Sequence, residues 1–216
     1  MERMSQGTAP LEATGIAPQP RAASTEASAG ESRFVIHGVP WHAYVALRDT
    51  LDSHAGLRLT YLRGALELMS PLGPHEDCKT IIARLLEAWA EERDVDLNGR
   101  GGQTFRKEAG ERGLEPDECY AVGLFGEIPD LAIEVVMSNP LVDKLEVYAG
   151  LGVPEVWVYR SGVLQVHRLV GHTYETRDRS ELLPGLDVAH LAGFIGLGKS
   201  QTATVKAYRR SLGELP

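Results

Sequence analysis

The strongest periodic pattern in the chain is helical. Ile81, Ile82, Leu85, Leu86 and Trp89 recur at the three- and four-residue intervals of one helix face. Glutamates fall on the opposite face, and a segment rich in proline and glycine precedes the pattern. The spacing therefore predicts a long amphipathic helix in this part of the chain.

Two pairs of short apolar segments are typical of β-hairpins. Residues 57–62 and 65–69 flank the two-residue turn Arg63-Gly64. Residues 155–159 and 163–167 flank a second Gly-containing turn. Both pairs predict antiparallel strands.

A nearly continuous apolar segment, Leu131–Val136, indicates a central strand covered on both faces. Glu118–Val122 predicts the strand before it, and Tyr174 marks a later one. Ser138-Asn139-Pro140 predicts the beginning of a helix that continues to about Ala149. This order of helices and strands predicts a mixed α/β single domain.

The first 32 residues differ in composition from the rest of the chain. They are rich in Ala, Ser, Gly, Pro, Thr and Glu and contain no run of large apolar residues. Such a segment cannot bury enough surface to offset its ordering entropy. We therefore expect a disordered low-complexity tail over residues 1–32 and one folded domain over residues 33–216.

The overall charge limits the kinds of function that are plausible. Lys and Arg total 22 against 30 for Asp and Glu, which gives a formal net charge of -8. Because proteins that hold nucleic acid mainly by electrostatics are usually basic, a nucleic-acid function here must depend on a local site.

The remaining composition predicts a cytoplasmic protein with no membrane contact. No apolar run approaches the ~20 residues of a membrane span. The N-terminus lacks the apolar core of a signal peptide. The two cysteines are too few for a disulfide scaffold.

A single acidic residue interrupts the most apolar strand. An ionised Glu134 is costly there unless it is paired or bound to a metal. Asp130 shares the strand, but at ~3.3 Å per residue it lies about 13 Å away, too far to share an ion. Asp117 begins the preceding strand segment and could lie beside Glu134 if the strands pair. Two such oxygen ligands suit Mg²⁺ or Mn²⁺.

Ordinary structural roles are open for each of these residues. Glu134 could end its strand and meet an arginine such as Arg106, and Asp117 could mark a turn after a proline. Lys144 could be a surface lysine, or it could reach Glu134 from the following helix, one turn before Tyr148. His75 and Glu76 begin the amphipathic helix, where an acidic side chain also stabilises the helix dipole. These residues are the candidates for a functional site.

Several stretches resemble the motifs of the Uma-two family, a group of endonucleases in the PD-(D/E)XK nuclease superfamily. Residues 59–90 are similar to its N-terminal half, and residues 113–120 and 129–135 are similar to its two acidic motifs. Residues 144–157 are similar to its closing segment. The motifs occur in the family order over roughly residues 34–195.

The resemblance implies a restriction-endonuclease-like core of the α/β (mixed α+β) class, with a central mixed sheet flanked by helices. It also implies an endonuclease that hydrolyses DNA with Mg²⁺, for which Mn²⁺ is the expected substitute. Asp117 and Glu134 would bind the metal, with the backbone carbonyl of Val135 as a further ligand.

The resemblance assigns two more catalytic residues. The superfamily lysine lies two positions after the second acid, which here is Val136, so Lys144 would supply the amine from the following helix. Glu76 would match an acid that the superfamily carries on a helix.

Other interpretations of the whole chain stay open. The net charge and Val136 favour a catalytically silent nucleic-acid-binding or regulatory protein on the same fold. A structural protein, in which Glu134 pairs with Arg106, is the third alternative. If the chain cuts both strands of DNA, a homodimer is plausible, because double-strand cleavage usually takes two active sites.

Overall fold

Twelve strands and five α-helices form the described part of the chain, which is residues 26–28, 31–51 and 56–213 of a computed structural model. The strands are β1 (Glu26–Ser28), β2 (Glu31–Ile36), β3 (Arg58–Leu62), β4 (Ala65–Pro71), β5 (Leu97–Gly99), β6 (Phe105–Lys107), β7 (Arg112–Leu114), β8 (Glu118–Val122), β9 (Leu131–Val135), β10 (Glu155–Arg160), β11 (Val163–Val170) and β12 (Thr173–Arg177). The helices are α1 (Trp41–Leu51), α2 (Gly73–Glu92), α3 (Lys144–Leu151), α4 (Val188–Gly193) and α5 (Gln201–Leu212).

The strands form two six-stranded sheets. The first has the order β1-β2-β4-β3-β7-β6 and is antiparallel. The second has the order β12-β11-β10-β9-β8-β5, in which β9 and β10 are parallel and the other pairs antiparallel. The mixed α+β class and the central mixed sheet flanked by helices are thereby confirmed, and the first sheet is an addition to them.

Both predicted hairpins are confirmed, and the local backbone explains them. Arg63 and Gly64 have φ of 43° and 87°, and Ser161 and Gly162 have φ of 50° and 86°. Two successive residues with positive φ form the turn whose twist matches that of two antiparallel strands. The glycine takes the second of these positions at no steric cost.

Strand β9 lies in the middle of the protein, and all five of its residues are buried. One face of the second sheet packs against α2, α4 and α5, with Leu85, Leu86, Trp89 and Trp157 in the core between them. The other face packs with α3 and residues of the first sheet. The continuous apolar sequence of β9 follows from this burial on both faces.

The helix predicted from Ser138 begins only at Lys144, so that part of the prediction is wrong. Leu141 and Val142 donate their backbone N–H groups to the Glu67 carboxylate, which keeps this segment out of the helix. The side chain of Asp143 then accepts a hydrogen bond from the backbone N–H three residues later and caps α3.

The N-terminal prediction is covered only in part by the structure. Residues 1–25 and 29–30 of the predicted tail lie outside the described residues. Residues 26–28 form β1, which pairs with β2. Among the described helices, none combines the length and the apolar character that crossing a membrane requires.

The packing of α2 leads to a stability prediction. Leu85 is fully buried, whereas Leu124 is 97% exposed, so the two leucines form a matched pair. We expect Leu85→Ala to lower the free energy of unfolding by ~2–5 kcal/mol, because it leaves a cavity in the core. Leu124→Ala should leave it nearly unchanged. Urea denaturation of both variants tests this expectation, and equal effects would contradict the packing described for α2.

Candidate active site

Strand register brings the two predicted acids together. Glu118 lies opposite Ile133 in the antiparallel β8–β9 pair, so the next residues along the ladder, Asp117 and Glu134, also lie opposite each other. Opposed residues in an antiparallel pair share one face of the sheet. Both side chains are almost completely buried, at 1% and 2% exposure.

Glu134 is held by two side chains from α3. Lys144 Nζ donates to Glu134 Oε2 at 2.6 Å, and the Tyr148 hydroxyl donates to Oε1. Burial raises the pKa of Glu134, and the positive charge of Lys144 opposes that rise. Burial lowers the pKa of Lys144, but the charges of Glu134 and Asp117 raise it above its ordinary value, so the amine stays protonated. A buried ion pair therefore lies on the central strand.

Asp117 has one oxygen with partners and one without. Its Oδ2 accepts the Val135 N–H at 2.8 Å and lies 3.1 Å from His75 Nε2. Burial alone raises the pKa of Asp117, but the contact with His75, the charge of Lys144 and the Val135 N–H outweigh it and lower the pKa. Oδ1 is buried and has no hydrogen-bond partner among the described residues. An ionised oxygen in this state favours a cation.

The carbonyl group of Val135 faces the same side as Asp117. In a strand, the N–H and C=O of one residue point to the same neighbour. The next residue, Val136, donates its N–H to Tyr159 of β10, and Val135 donates to Asp117 on the other side. The Val135 carbonyl therefore points towards the beginning of β8, where Asp117 lies.

The remaining predicted residues lie at the border of this cluster. Glu76, in the first turn of α2, binds Lys79 Nζ at 2.6 Å and lies 3.5 Å from His75 Nδ1. His75 therefore lies between Glu76 and Asp117. Asp130 accepts the backbone N–H of Val122 at the far end of the β8–β9 pair, in keeping with its predicted distance from the site.

A further basic residue, Arg58, borders the acids. Its Nη1 lies 3.1 Å from Glu115 Oε2, and its Nε is buried without a hydrogen-bond partner among the described residues. Burial lowers the pKa of Arg58, but the hydrogen bond to Glu115 and the charges of Asp117 and Glu76 raise it above its ordinary value. The site thus has a guanidinium close to its carboxylates, which sequence analysis did not identify.

The chemistry of the donors fits a single Mg²⁺ ion. No group of three or more His, Cys, Asp or Glu in the described ranges is arranged to hold a metal. Mg²⁺, however, is commonly bound by one or two carboxylates and keeps several waters. Asp117 and Glu134 lie beside the basic groups of Lys144, His75 and Arg58, and Asp117 Oδ1 lacks a partner among the described residues. A cation would supply that missing contact.

A second buried ion pair fixes the loop that leads to Lys144. Arg33 Nη1 lies 2.6 Å from Glu67 Oε1, and Arg33 Nε donates to Ser138 Oγ at 2.9 Å. Glu67 Oε2 accepts the backbone N–H groups of Leu141 and Val142. The first sheet thereby holds the segment between β9 and α3. We call Arg33 and Glu67 the loop clamp.

The loop clamp was missed by sequence analysis, although a signal existed. Ala65, Glu67 and Met69 alternate on one side of a predicted strand, so a charged residue interrupts an apolar face. The alternative pairing of Glu134 with Arg106 is wrong, because Arg106 is bound to Asp49 on the surface and Lys144 takes the place beside Glu134.

Comparisons with known proteins give a family model and a solved structure. The model of the Uma2 family, described as "Putative restriction endonuclease", matches residues 41–198. A crystal structure from Anabaena variabilis ATCC 29413, described as "a putative nuclease belonging to DUF820", is 16% identical, covers 70% of this chain and 90% of its own, and gives a TM-score of 0.41. No curated protein matches the chain.

The loop clamp leads to a second stability prediction. Glu67→Ala removes the carboxylate that pairs with the buried Arg33 guanidinium and accepts two backbone N–H groups, and breaking a buried ion pair typically costs ~3–5 kcal/mol. Asp49→Ala removes one partner of the exposed pair with Arg106 and should have little effect. Chemical denaturation of the two variants compares these costs. A Glu67→Ala variant as stable as Asp49→Ala would contradict the assigned role of the loop clamp.

Proposed function

The chain belongs to the Uma2 family, described as "Putative restriction endonuclease", and from this membership and the site geometry we propose that it is a metal-dependent endonuclease that hydrolyses DNA. The family model covers well over half of the chain, in agreement with the resemblance noted in the sequence. The observation that carries the proposal is the buried Asp117–Glu134 pair, in which one carboxylate oxygen has no partner within the described part of the chain.

Asp117, Glu134 and the carbonyl of Val135 are the residues that would hold the metal. Bound there, Mg²⁺, or Mn²⁺ in its place, supplies positive charge that polarises a phosphodiester and makes water a stronger nucleophile. The protein orients these ligands before any metal arrives. The Val135 N–H and His75 fix one oxygen of Asp117, and this leaves the other oxygen available.

Lys144 supplies the positive charge that the superfamily pattern places on the strand. It reaches Glu134 from α3, so Val136 does not remove the amine from the site. An ammonium group has three donors, and the contact with Glu134 uses one of them. The other two can orient the attacking water or stabilise negative charge that develops on the phosphate.

A local set of basic groups can attract a phosphate backbone despite the net charge of -8. Arg58 lies near Asp117 and Glu76, and Lys79 is paired with Glu76 at the same end of α2. We assign Arg58 and Lys79 to contacts with the phosphates that flank the cleaved bond. Glu76 would then orient Lys79 or bind the metal through water. Binding would depend on these groups and on the metal, not on the overall field of the protein.

The remaining parts of the proposal concern the cellular compartment and the oligomeric state. Cys78 and Cys119 are buried and unpaired, as suits a reducing cytoplasm. A homodimer would place two active sites on one duplex and would allow cleavage of both strands. Each subunit would otherwise nick one strand at a time.

Substitution of the two acids tests the catalytic assignment. We expect wild-type protein to nick supercoiled plasmid in the presence of Mg²⁺ or Mn²⁺. Asp117→Asn and Glu134→Gln should lower the rate by at least ~100-fold, because each removes a charged metal ligand while keeping the side-chain shape. Asp130→Asn, just before the strand that carries Glu134 and outside the site, is the matched control and should keep its activity.

Two results would overturn parts of this assignment. Full activity in Asp117→Asn or Glu134→Gln would remove these residues from the active site. If neither the wild-type protein nor any variant cleaves, and the protein still binds duplex DNA with a steep salt dependence, the catalytically silent alternative is correct.

Metal binding can be measured without any nucleic acid. We expect isothermal titration of the wild-type protein with Mn²⁺ to give one site per chain. Asp117→Asn should weaken this binding by ~10-fold or more, because it removes the charge of the oxygen that lacks a partner. Asp130→Asn should bind as wild type does. The absence of heat from wild-type protein would contradict the metal site.

A further inference from the structure

A cavity opens beside the acids, on the same face of the second sheet. Its volume is about 440 Å³, and Glu134, Lys144 and Tyr148 form the wall nearest the site. Val156 and Val158 also line it, and Gln165 and His167 lie along the strand beyond them. The cavity is therefore continuous with the active site, and its size is within the ~300–1,000 Å³ of pockets that take small molecules.

The strand registers place these residues in two parallel rows. Glu134 lies opposite Val158 in the β9–β10 pair, and Val158 lies opposite Gln165 in the β10–β11 pair. In the adjacent row, Val156 lies opposite His167. Since neighbouring strands are ~4.8 Å apart, Gln165 lies about 10 Å from Glu134 across the sheet. The distance suits a ligand that has its phosphate at the acids and extends towards β11.

The chemistry changes along this path from charged to apolar and then to polar. Two valines provide a flat aliphatic surface, against which a planar ring can lie. The Gln165 amide has no hydrogen bond to another described residue, so its donor and its acceptor are both available. Burial lowers the pKa of His167, which favours its neutral ring, and because Nδ1 lies 3.5 Å from Thr176 Oγ1, Nε2 is the nitrogen that remains to donate or accept. Donors and acceptors of this kind match the edge of a nucleobase.

We propose that this cavity binds the base of the nucleotide next to the cleaved phosphate, with Val156 and Val158 against the ring and Gln165 and His167 at its edge. The proposal rests on the proposed nuclease function and adds a subsite to it. A base in the cavity must leave the stack of a duplex, which is easier in single-stranded or mismatched DNA. Base identity at this one position would then affect cleavage.

Deoxynucleoside 5′-monophosphates test the cavity without relying on cleavage. The wild-type protein, loaded with Mg²⁺, is titrated with each of the four monophosphates and with 2-deoxyribose 5-phosphate, which lacks a base, and binding is followed by protein NMR shifts. We expect at least one nucleotide to bind ~10-fold or more tightly than the sugar phosphate. If all four bind no more tightly than the sugar phosphate, or do not bind, the proposal is overturned.

Two variants connect the affinity to the cavity. Val158→Trp fills it and should remove the advantage of the nucleotide over the sugar phosphate. Val170→Trp adds the same side chain to β11 on an exposed position outside the cavity and should keep that advantage. Gln165→Leu, at an exposed position, should reduce the differences among the four bases at least ~5-fold. An unchanged nucleotide preference in both Val158→Trp and Gln165→Leu would also overturn the proposal.

The outcome separates the subsite from the nuclease activity. Nucleotide preference that depends on Val158, in a protein that cleaves no DNA, supports the cavity and counts against the proposed function. Metal-dependent cleavage with no preference for nucleotides over the sugar phosphate does the opposite. The two proposals therefore cannot fail by one and the same result.

Discussion

The presence of a carboxylate on a completely buried strand is the constraint on which the site and its surroundings depend. Glu134 lies in the middle of the second sheet, where an unpaired charge would cost several kcal/mol. Lys144 and Tyr148 compensate for it, so α3 has to dock with its first turns over β9. That docking depends in turn on the loop clamp, which fixes the intervening loop from the other sheet. The first sheet thereby supports the site through the loop clamp and also supplies Arg58 from β3.

Buried acids in this protein differ in how completely their oxygens are satisfied. Glu155 accepts hydrogen bonds from the Trp157 indole and the Glu181 backbone, and Glu67 is bound by Arg33 and two backbone N–H groups. In these two acids each oxygen has a partner in the protein itself. The same holds for Glu134, whose oxygens accept from Lys144 and Tyr148. Asp117 is equally buried but leaves one oxygen without a partner among the described residues. Burial alone therefore does not distinguish the site, whereas the open oxygen of Asp117 does.

Much of the fold and part of the site could be predicted from local sequence patterns. The hairpin turn at Arg63, the strand containing Glu134 and its pairing with the segment after Asp117 depend on neighbouring residues. The link between Arg33 and Glu67 joins strands that are distant in sequence, and a single sequence does not show which charges meet. The contact of Lys144 with Glu134 could not be derived either, because it depends on where α3 begins. Tertiary hydrogen bonds to Glu67, not helix propensity, decide that point.

Helix α3 packs between the two sheets and buries Val147, Tyr148 and Leu151 there as well as Lys144. A helix in this position cannot detach without opening the hydrophobic core on that face, so its amide hydrogens should exchange with solvent only through large openings of the protein. Lys144, in the first turn of this helix, is held against Glu134 by the same packing. In the proposed nuclease, the adjustment needed to bring reacting groups together would then fall on the polynucleotide, and differences in how readily nucleic acids deform would become differences in rate.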